Sequence, residues 1–404
     1  MQAVSRIAAL VLMGLALAAG SASAGGPGPL FGLVNGDGQA ALTHVDLLNL
    51  QPTGVRIPLG VFSRAWSFSA DRTRLVVASS HNSTLGRPSA LRFVDLGRMR
   101  RDGDLVLAGE TDRIAGTAWT GGRVLALVVG ERTAHVVAVD PDARRVVGRV
   151  ALDGTVLGGA ATAGGLVLLL APRERIGPAR LAVVDSKLRV RSAVLERITA
   201  GSETHGSGES LRAQAQIPAL AVAAGRAYVL GAGGEPSAEV DLATLAVTYR
   251  EERLLARAAK QGEGDQKARF ATWLGDGLLA VGRQDIEPKQ GQTATGVSVL
   301  NVRDWSLRTL DEKATSFAVG GGLVFLRDRT GVRAVGDDGR DRFRALAEWP
   351  VAEIQAYGRR VLVQISRSSV PYVALLDFGS GRVLRTWRGQ APALLLGSAA
   401  PIWG

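Results

Sequence analysis

Residues 121–140 read GGRVLALVVGERTAHVVAVD. A Gly-Gly pair precedes the apolar run VLALVV, and a second apolar run, HVVAVD, follows after a short polar loop. Valine-rich runs of this length, bounded by glycine and polar residues, are typical of buried β-strands, and glycine supplies the positive φ angles of tight hairpin turns. The stretch therefore predicts a pair of antiparallel strands. Its final residue, Asp140, predicts a turn closed by bonds from backbone N–H groups to the carboxylate.

The same pattern recurs along the chain. Its first apolar run has copies at residues 30–34, 75–78, 124–129, 166–170, 226–230, 278–281, 323–326 and 361–365. An acid or an amide stands near the exit of the second run, at Asp46, Asp95, Asp140, Asp185, Asp241, Asn301, Asp337 and Asp377. Four short antiparallel strands repeated every ~40–50 residues are the blade of a β-propeller. We therefore predict an all-β propeller of eight four-stranded blades, with seven as the alternative if the glycine-rich unit at 314–349 merges with a neighbour.

The two ends of the pattern predict how the ring closes. In each four-stranded blade, the apolar run at residues 30–34 or its copy is the second strand, and we call such strands the second type; strands of the first type precede them. The chain enters with a strand of the second type, Leu30–Val34, and its last apolar run, Ala393–Leu396, is a strand of the first type with nothing after it. Pairing of these two segments completes one blade. Closure of this kind removes exposed sheet edges, which otherwise pair with other chains.

The first residues resemble a secretory signal peptide. Arg6 gives a positive start, Ile7–Ala19 is apolar, and Ala22-Ser23-Ala24 reads as a cleavage site. The apolar stretch is shorter than the ~18–20 residues that span a bilayer, and no later stretch of the sequence is long enough. We expect a signal peptide at residues 1–24 and a single propeller domain at residues 25–404. The mature protein is then exported, to the periplasm or the extracellular space, without a transmembrane segment.

Composition excludes several kinds of site. The chain has no cysteine, which excludes disulfides, iron–sulfur clusters and a thiol nucleophile, and four histidines are too few for a histidine-rich copper centre. The net charge is +11, and all but five of the 48 basic residues are arginines, spread without a dense cluster. This charge favours an anionic partner through a long-range field. Aromatic residues make up 5% of the chain, which leaves few surfaces for stacking bases, so no nucleic-acid partner is expected.

Two segments resemble a known kind of propeller. AEVDLATLAV at residues 238–247 and LLDFGSGRVLRTW at residues 375–387 look like the blades of YVTN-type secreted bacterial propellers, which are similar to quinoprotein amine dehydrogenase subunits. The resemblance implies the propeller fold. It carries over no functional residue, because the shared positions belong to turns and cores.

The long connections predict the binding face. Neighbouring strands of a blade run in opposite directions, so connections from second to third strands and from blade to blade emerge on one face of the ring. Every long loop in the sequence is of this kind: residues 79–89, 171–179, 199–217, 250–269 and 283–293. Loops on a rigid scaffold carry most binding residues. The ligand- or partner-binding candidates in these loops are His81, Glu203, His205, Glu209 and Asp285, together with Arg253, Arg257 and Lys260 on one side of a predicted short helix.

Two classes of function remain open. We favour a non-catalytic binding or scaffold module that engages a protein or an anionic cell-envelope component through this face. The alternative is an enzyme or an enzyme subunit with a small-molecule site at the channel mouth, lactonase-like or dehydrogenase-like. No catalytic residue, metal ligand or cofactor is assigned. Trp66, Trp119 and Trp273 occupy matching places before the second strands, and we interpret them as packing between blades.

Overall fold

The computed structural model describes residues 30–36, 39–46, 51–60, 62–79, 89–107, 112–131, 133–205, 212–232, 234–254, 266–287, 292–327, 331–357, 360–365, 372–388, 392–396 and 402–403. All regular elements of these residues are β-strands, which form six four-stranded sheets and one eleven-stranded sheet. The architecture is an all-β propeller. The predicted signal peptide, residues 1–24, lies outside the described residues.

The six four-stranded sheets are antiparallel meanders. The first sheet contains β1 (Leu30–Gly36), β2 (Gln39–Val45), β3 (Pro52–Gly60) and β34 (Pro392–Leu396). The second contains β4 (Phe62–Phe68), β5 (Arg74–Ser79), β6 (Ala90–Asp95) and β7 (Arg100–Val106). The third contains β8 (Arg113–Thr120), β9 (Arg123–Val129), β10 (Ala134–Asp140) and β11 (Arg145–Leu152). The fourth sheet contains β17 (Ala219–Ala223), β18 (Arg226–Leu230), β19 (Ser237–Asp241) and β20 (Val247–Arg250). The fifth contains β26 (Ser316–Gly320), β27 (Leu323–Arg327), β28 (Val332–Gly336) and β29 (Asp341–Ala345). The sixth contains β30 (Val351–Tyr357), β31 (Arg360–Ile365), β32 (Tyr372–Asp377) and β33 (Val383–Arg388).

The eleven-stranded sheet contains two further meanders and three short strands. The meanders are β12 (Thr155–Thr162), β13 (Gly165–Ala171), β14 (Gly177–Val184), β15 (Val190–His205), and β22 (Gln266–Gly275), β23 (Leu278–Glu287), β24 (Gln292–Asn301), β25 (Ser306–Asp311). The additional strands are β16 (Arg212–Ile217), β21 (Arg253–Leu254) and β35 (Ile402–Trp403).

The prediction of eight four-stranded blades is wrong, and so is the alternative of seven. Six blades are four-stranded sheets, and the remaining strands hydrogen-bond into one continuous sheet. The link is β15, which continues past its own meander and pairs with β16, while β16 pairs in parallel with β22. β17, which follows β16 after Pro218, also contacts β22.

The ring closes through strands from the two ends of the pattern. β34 pairs antiparallel with β1, with Phe31 opposite Leu396 and Leu33 opposite Leu394. Phe31, Leu33 and Leu396 are each 1% exposed and share one apolar cluster. The pairing of Ala393–Leu396 with Leu30–Val34 is therefore the one expected from the sequence.

The core lies between neighbouring sheets. Strands of the second type, such as β9 and β13, are buried along nearly their whole length, whereas the outermost strands β7 and β11 are mostly exposed. Apolar clusters join residues of adjacent meanders, so each sheet packs its two faces on its neighbours. Trp273 belongs to such a cluster and stacks on Tyr228, as the packing interpretation of the tryptophans predicts. No helix among the described residues is long and apolar enough to cross a membrane.

Candidate functional site

The turns between third and fourth strands lie on one side of the ring, which we call the turn face. There side chains close turns, as the sequence predicts, at Asp95, Asp140, Asp185, Asp241, Asn301 and Asp377. In the turn after β28, Asp338 accepts from Arg340 N in place of the predicted Asp337. Asp140 Oδ1 accepts hydrogen bonds from Asp142 N and Ala143 N at 3.0 and 2.9 Å, and Asp241 Oδ1 accepts from Thr244 N at 2.8 Å. These backbone bonds hold the pKa of both carboxyls below the ordinary range. The acids of this face are therefore structural.

Arginines of the turn face join neighbouring sheets. Arg74 of β5 pairs with Asp142, which follows β10. Arg191 of β15 donates to the carbonyl oxygens of Ala243 and Leu242 in the next blade, at 2.7 and 2.9 Å. Arg74 and Arg191 thus have structural roles between sheets.

The opposite side, which we call the loop face, carries the connections between second and third strands and between blades. Several connections predicted to be irregular are strands instead. Residues 199–205 and 212–217 belong to β15 and β16, and residues 283–287 and 292–293 belong to β23 and β24. The predictions of loops at 199–217 and 283–293 are wrong over these residues, because backbone groups that would otherwise be unpaired join the eleven-stranded sheet.

A cleft of about 370 Å³ opens on the loop face of the β12–β15 meander. It lies between the β11–β12 turn and the connection from β13 to β14. The lining residues are Asp153, Gly154, Leu170, Ala171, Pro172, Arg173, Arg175, Pro178 and Arg180. Three arginines and one aspartate give this lining a formal charge of +2. The walls combine cationic groups with apolar side chains, an arrangement suited to an anionic ligand.

The three arginines of the cleft are held differently. Arg180 Nη1 lies 2.9 Å from Asp153 Oδ2, so this cation already has a carboxylate partner. Arg173 Nη2 donates to the Leu152 carbonyl oxygen at 3.0 Å. Arg175 makes no side-chain hydrogen bond or ion pair with the residues that the structure describes. Arg173 and Arg175 thus retain donors for a ligand.

The connection that carries these arginines is fixed against β15. Ile176 N donates to Glu203 Oε2 at 3.3 Å, and Gly177 pairs with Ala200. At Gly201, φ is +121°, and a Cβ would lie 2.2 Å from the Arg175 carbonyl oxygen. Only glycine permits this close approach, so the extension of β15 is the support on which the connection rests.

The predicted site residues do not converge. Glu203 lies in β15 beside the cleft, and His205 is the last residue of that strand. Arg253 begins the short strand β21, which pairs in parallel with β25. The predicted helix is therefore wrong at Arg253, because its backbone pairs with Ser306 instead. Four other candidates lie outside the described residues: His81, Glu209, Arg257 and Lys260.

Asp285 lies in the interior rather than at the surface. It is 2% exposed, and Arg269 Nη1 lies 2.7 Å from its Oδ1. Arg283 is close by, and desolvation lowers its pKa while the charge of Asp285 opposes that shift. A partner-binding role for Asp285 stays a prediction, whereas its contact with Arg269 ties β22 to β23.

The described residues hold no group of three or more His, Asp or Glu side chains arranged to bind a metal ion. His44 lies in β2 against Phe31, and His135 lies in β10, so both are sheet residues. Burial lowers the pKa of His135, with a further contribution from Arg149. The arginine cleft is thus the arrangement with the clearest chemical preference, and the sequence signal for it is PRERIGPAR at residues 172–180, with three arginines in one connection.

Comparison with known proteins supports the fold. No protein-family model matches the sequence, and no curated protein matches it. Among solved structures, the dihydro-heme d1 dehydrogenase NirN in complex with DHE is similar with a TM-score of 0.61 at 12% identity, over 92% of this chain and 75% of NirN. Apo AztD from Citrobacter koseri gives 0.55 at 11% identity, over 93% and 98% of the two chains. Saccharomyces cerevisiae Sqt1 gives 0.50 at 10% identity, over 82% and 86%.

Identities this low show a shared fold and nothing more specific. The YVTN-type resemblance is not tested by these likenesses and stays an interpretation of the sequence. What they establish is that this chain has the β-propeller fold of NirN, AztD and Sqt1.

Proposed function

We propose that this protein is a non-catalytic binding propeller, which engages an acidic segment of a partner protein through its loop face, at the arginine-lined cleft. The observation that carries the proposal is the cleft itself, where Arg173 and Arg175 stand without carboxylate partners among the described residues. Buried or clustered cations normally occur with counter-charges, so cations left unpaired in a concave site are available to an anionic partner.

The contrast between the two faces supports the choice of surface. On the turn face, acids close turns and arginines bond neighbouring blades, as for Asp241 and Arg191. On the loop face, Arg175 is exposed and makes no ion pair with an acid that the structure describes. Charged groups that make no contact within the fold are available to bind a partner.

The size of the cleft supports a short group rather than a large cofactor. Its volume of about 370 Å³ is near the lower end of the range of about 300–1,000 Å³ found for ligand pockets. An acidic side chain and its neighbours fit such a space. No observation on the part of the chain that the structure describes favours the enzyme alternative, because its side chains around the cleft form no catalytic set. Under the same proposal the protein acts after export, as the signal-like residues 1–24 suggest.

Site-specific photo-crosslinking in the native host tests this proposal. A benzophenone amino acid replaces Thr155, an exposed residue at the cleft end of β12, in the full-length chain. The matched control replaces Ala163, an exposed residue beyond the other end of the same strand, on the opposite face. We expect a protein adduct from position 155 and none from position 163, with the crosslink mapping to an acidic segment.

Three outcomes would overturn the proposal. They are the absence of any adduct at position 155, equal adducts at both positions, and an adduct that contains only lipid or polysaccharide. The last result would identify an anionic envelope component in place of a protein. Unchanged melting temperatures of both labelled proteins show that the fold is intact.

A further inference from the structure

We infer that the cleft binds a single oxyanion group, a phosphate or a carboxylate, in the fork of the Arg173 and Arg175 guanidiniums. The inference rests on the proposed function for its choice of site, and it adds the chemistry of the group that enters. Four features of the cleft carry it, namely the charge, the donors, the rigidity and the apolar walls.

The first feature is the imbalance of charge. Asp153 is the only acid among the lining residues, and it is bound to Arg180 at 2.9 Å. That ion pair is exposed at the rim, with Asp153 84% exposed, and screening by solvent makes it weak. Two positive charges remain on the lining. The Glu203 carboxylate beside the cleft already accepts a hydrogen bond from Ile176 N, so the lining itself favours an anion over a cation.

The second feature is the supply of unused donors. A guanidinium has five N–H donors in a planar fork, which matches two oxygens of a carboxylate or phosphate. Arg173 uses one donor on the Leu152 carbonyl oxygen, and this bond orients its guanidinium while leaving other donors unused. Arg175 uses none on the residues that the structure describes. A bidentate contact from one arginine and a further contact from the other are both available.

The third feature is that the connection is already ordered. The close approach of Gly201 to the Arg175 carbonyl oxygen and the bond from Ile176 N to Glu203 both fix the peptide group that follows Arg175. A site that is rigid before binding loses less entropy when the ligand enters. Binding therefore requires ordering of the arginine side chains alone, not of the connection.

The fourth feature is the apolar wall. Leu170, Ala171, Pro172 and Pro178 line the same cleft. Arg173 and Arg175 are exposed, so these apolar side chains leave the guanidiniums in contact with water. The wall provides a surface for a short apolar linker next to the oxyanion. An anion without oxygen acceptors in the fork geometry, such as chloride, gains less from this arrangement.

Isothermal titration calorimetry of the full chain at low ionic strength tests the inference, with inorganic phosphate, acetate and chloride as separate probes. We expect saturable binding of phosphate or acetate at one site, and weaker binding of chloride. The tighter of the two oxyanions identifies the group. Arg175→Gln should weaken that binding by about tenfold, because one charge-assisted contact is lost, and Arg175→Lys should fall between the two because it keeps the charge without the fork.

The control variant is Arg382→Gln. It removes an exposed arginine of the turn face and should leave the affinity for the oxyanion unchanged. Arg173→Gln removes the bond to Leu152 as well as a cation. If Arg173→Gln lowers the melting temperature, Arg175→Gln is the variant that decides. Oxyanion binding that is absent, no tighter than chloride binding, or unchanged by Arg175→Gln overturns the inference. A crosslink from Thr155 without oxyanion binding would overturn this inference alone, and oxyanion binding without a crosslink would overturn the proposed function alone.

Discussion

Asp285 and Arg269 form an ion pair in the interior of the eleven-stranded sheet, with Oδ1 and Nη1 2.7 Å apart and side-chain exposures of 1% and 11%. The two residues lie on neighbouring strands, where Lys267 is directly opposite Asp285 and Arg269 is opposite Arg283. Asp285 is thus the counter-charge for more than one cation. Asp285 compensates the charge of those cations in the interior and does not add net stability beyond that.

Removal of the Asp285 charge should lower the free energy of unfolding. Asp285→Asn keeps the shape of the side chain but leaves Arg269 buried without its carboxylate, and we expect a loss of about 3–5 kcal/mol in the free energy of unfolding. The exposed pair of Arg180 with Asp153 is the matched control, and Asp153→Asn should change stability by at most about 1 kcal/mol. Urea denaturation measures both. Similar effects of the two substitutions would contradict the structural role of Asp285.

Ring closure predicts a second effect. Leu396 is 1% exposed and packs in one cluster with Phe31 and Leu33. Leu396→Ala should therefore cost about 2–5 kcal/mol, as expected for truncation of a buried leucine. The matched control is Leu384, 37% exposed on β33, where the same substitution should cost about 0.5 kcal/mol or less. Equal melting temperatures for the two variants would argue against closure through β34.

The turn at Asp71 predicts a dependence on pH. Its carboxylate accepts hydrogen bonds from Ser69 Oγ and from Thr73 N at 2.5 and 3.1 Å, and the Ser69 bond is the largest of the causes that lower the pKa of Asp71 to about 2. Because folding depresses this pKa below the unfolded value of about 3.9, its stabilisation is present above pH ~4 and is lost as the pH falls towards 2.

Melting curves of the wild type and Asp71→Asn between pH 6 and pH 2 measure this effect. The wild type should be the more stable protein near pH 6, and the difference should shrink between pH 4 and pH 2. A difference that stays constant over that interval would show that the Asp71 charge does not contribute.

Adjacent glycines of one hairpin turn provide a test of backbone constraint. At Gly165, φ is +134° and a Cβ would lie 2.0 Å from the Val184 carbonyl oxygen, whereas the nearest atom to a Cβ at Gly164 is Thr162 Oγ1 at 3.8 Å. Gly165→Ala should therefore lose at least about 1–3 kcal/mol through strain, and Gly164→Ala should be nearly neutral. Thermal unfolding of the two proteins checks the contrast, which would fail if both melted alike.

The amino-acid sequence by itself determined the strand repeat, the turn acids and the segments that close the ring. These features are local or nearly local. Apolar runs of four to six residues bounded by glycine specify buried strands, and an Asp such as Asp241 closes its turn with residues two and three positions on. The unpaired strand types at residues 30–34 and 393–396 had no other partner in the pattern, so their pairing could be expected from the sequence.

Only the tertiary structure decided the joining of two meanders into one sheet, the burial of Asp285 and the packing that forms the cleft at Arg175. Each depends on segments that are remote in sequence, as where Ile217 pairs with Ala268. In the sequence, Asp285 falls in a predicted loop. In the structure, the strand extends past this position and Arg269 lies beside Asp285. Arg175 becomes part of a cleft because Gly201, on a different strand, allows its connection to pack closely. Local periodicity encodes which residues form strands, but the register and length of distant pairings depend on packing that the periodicity does not contain.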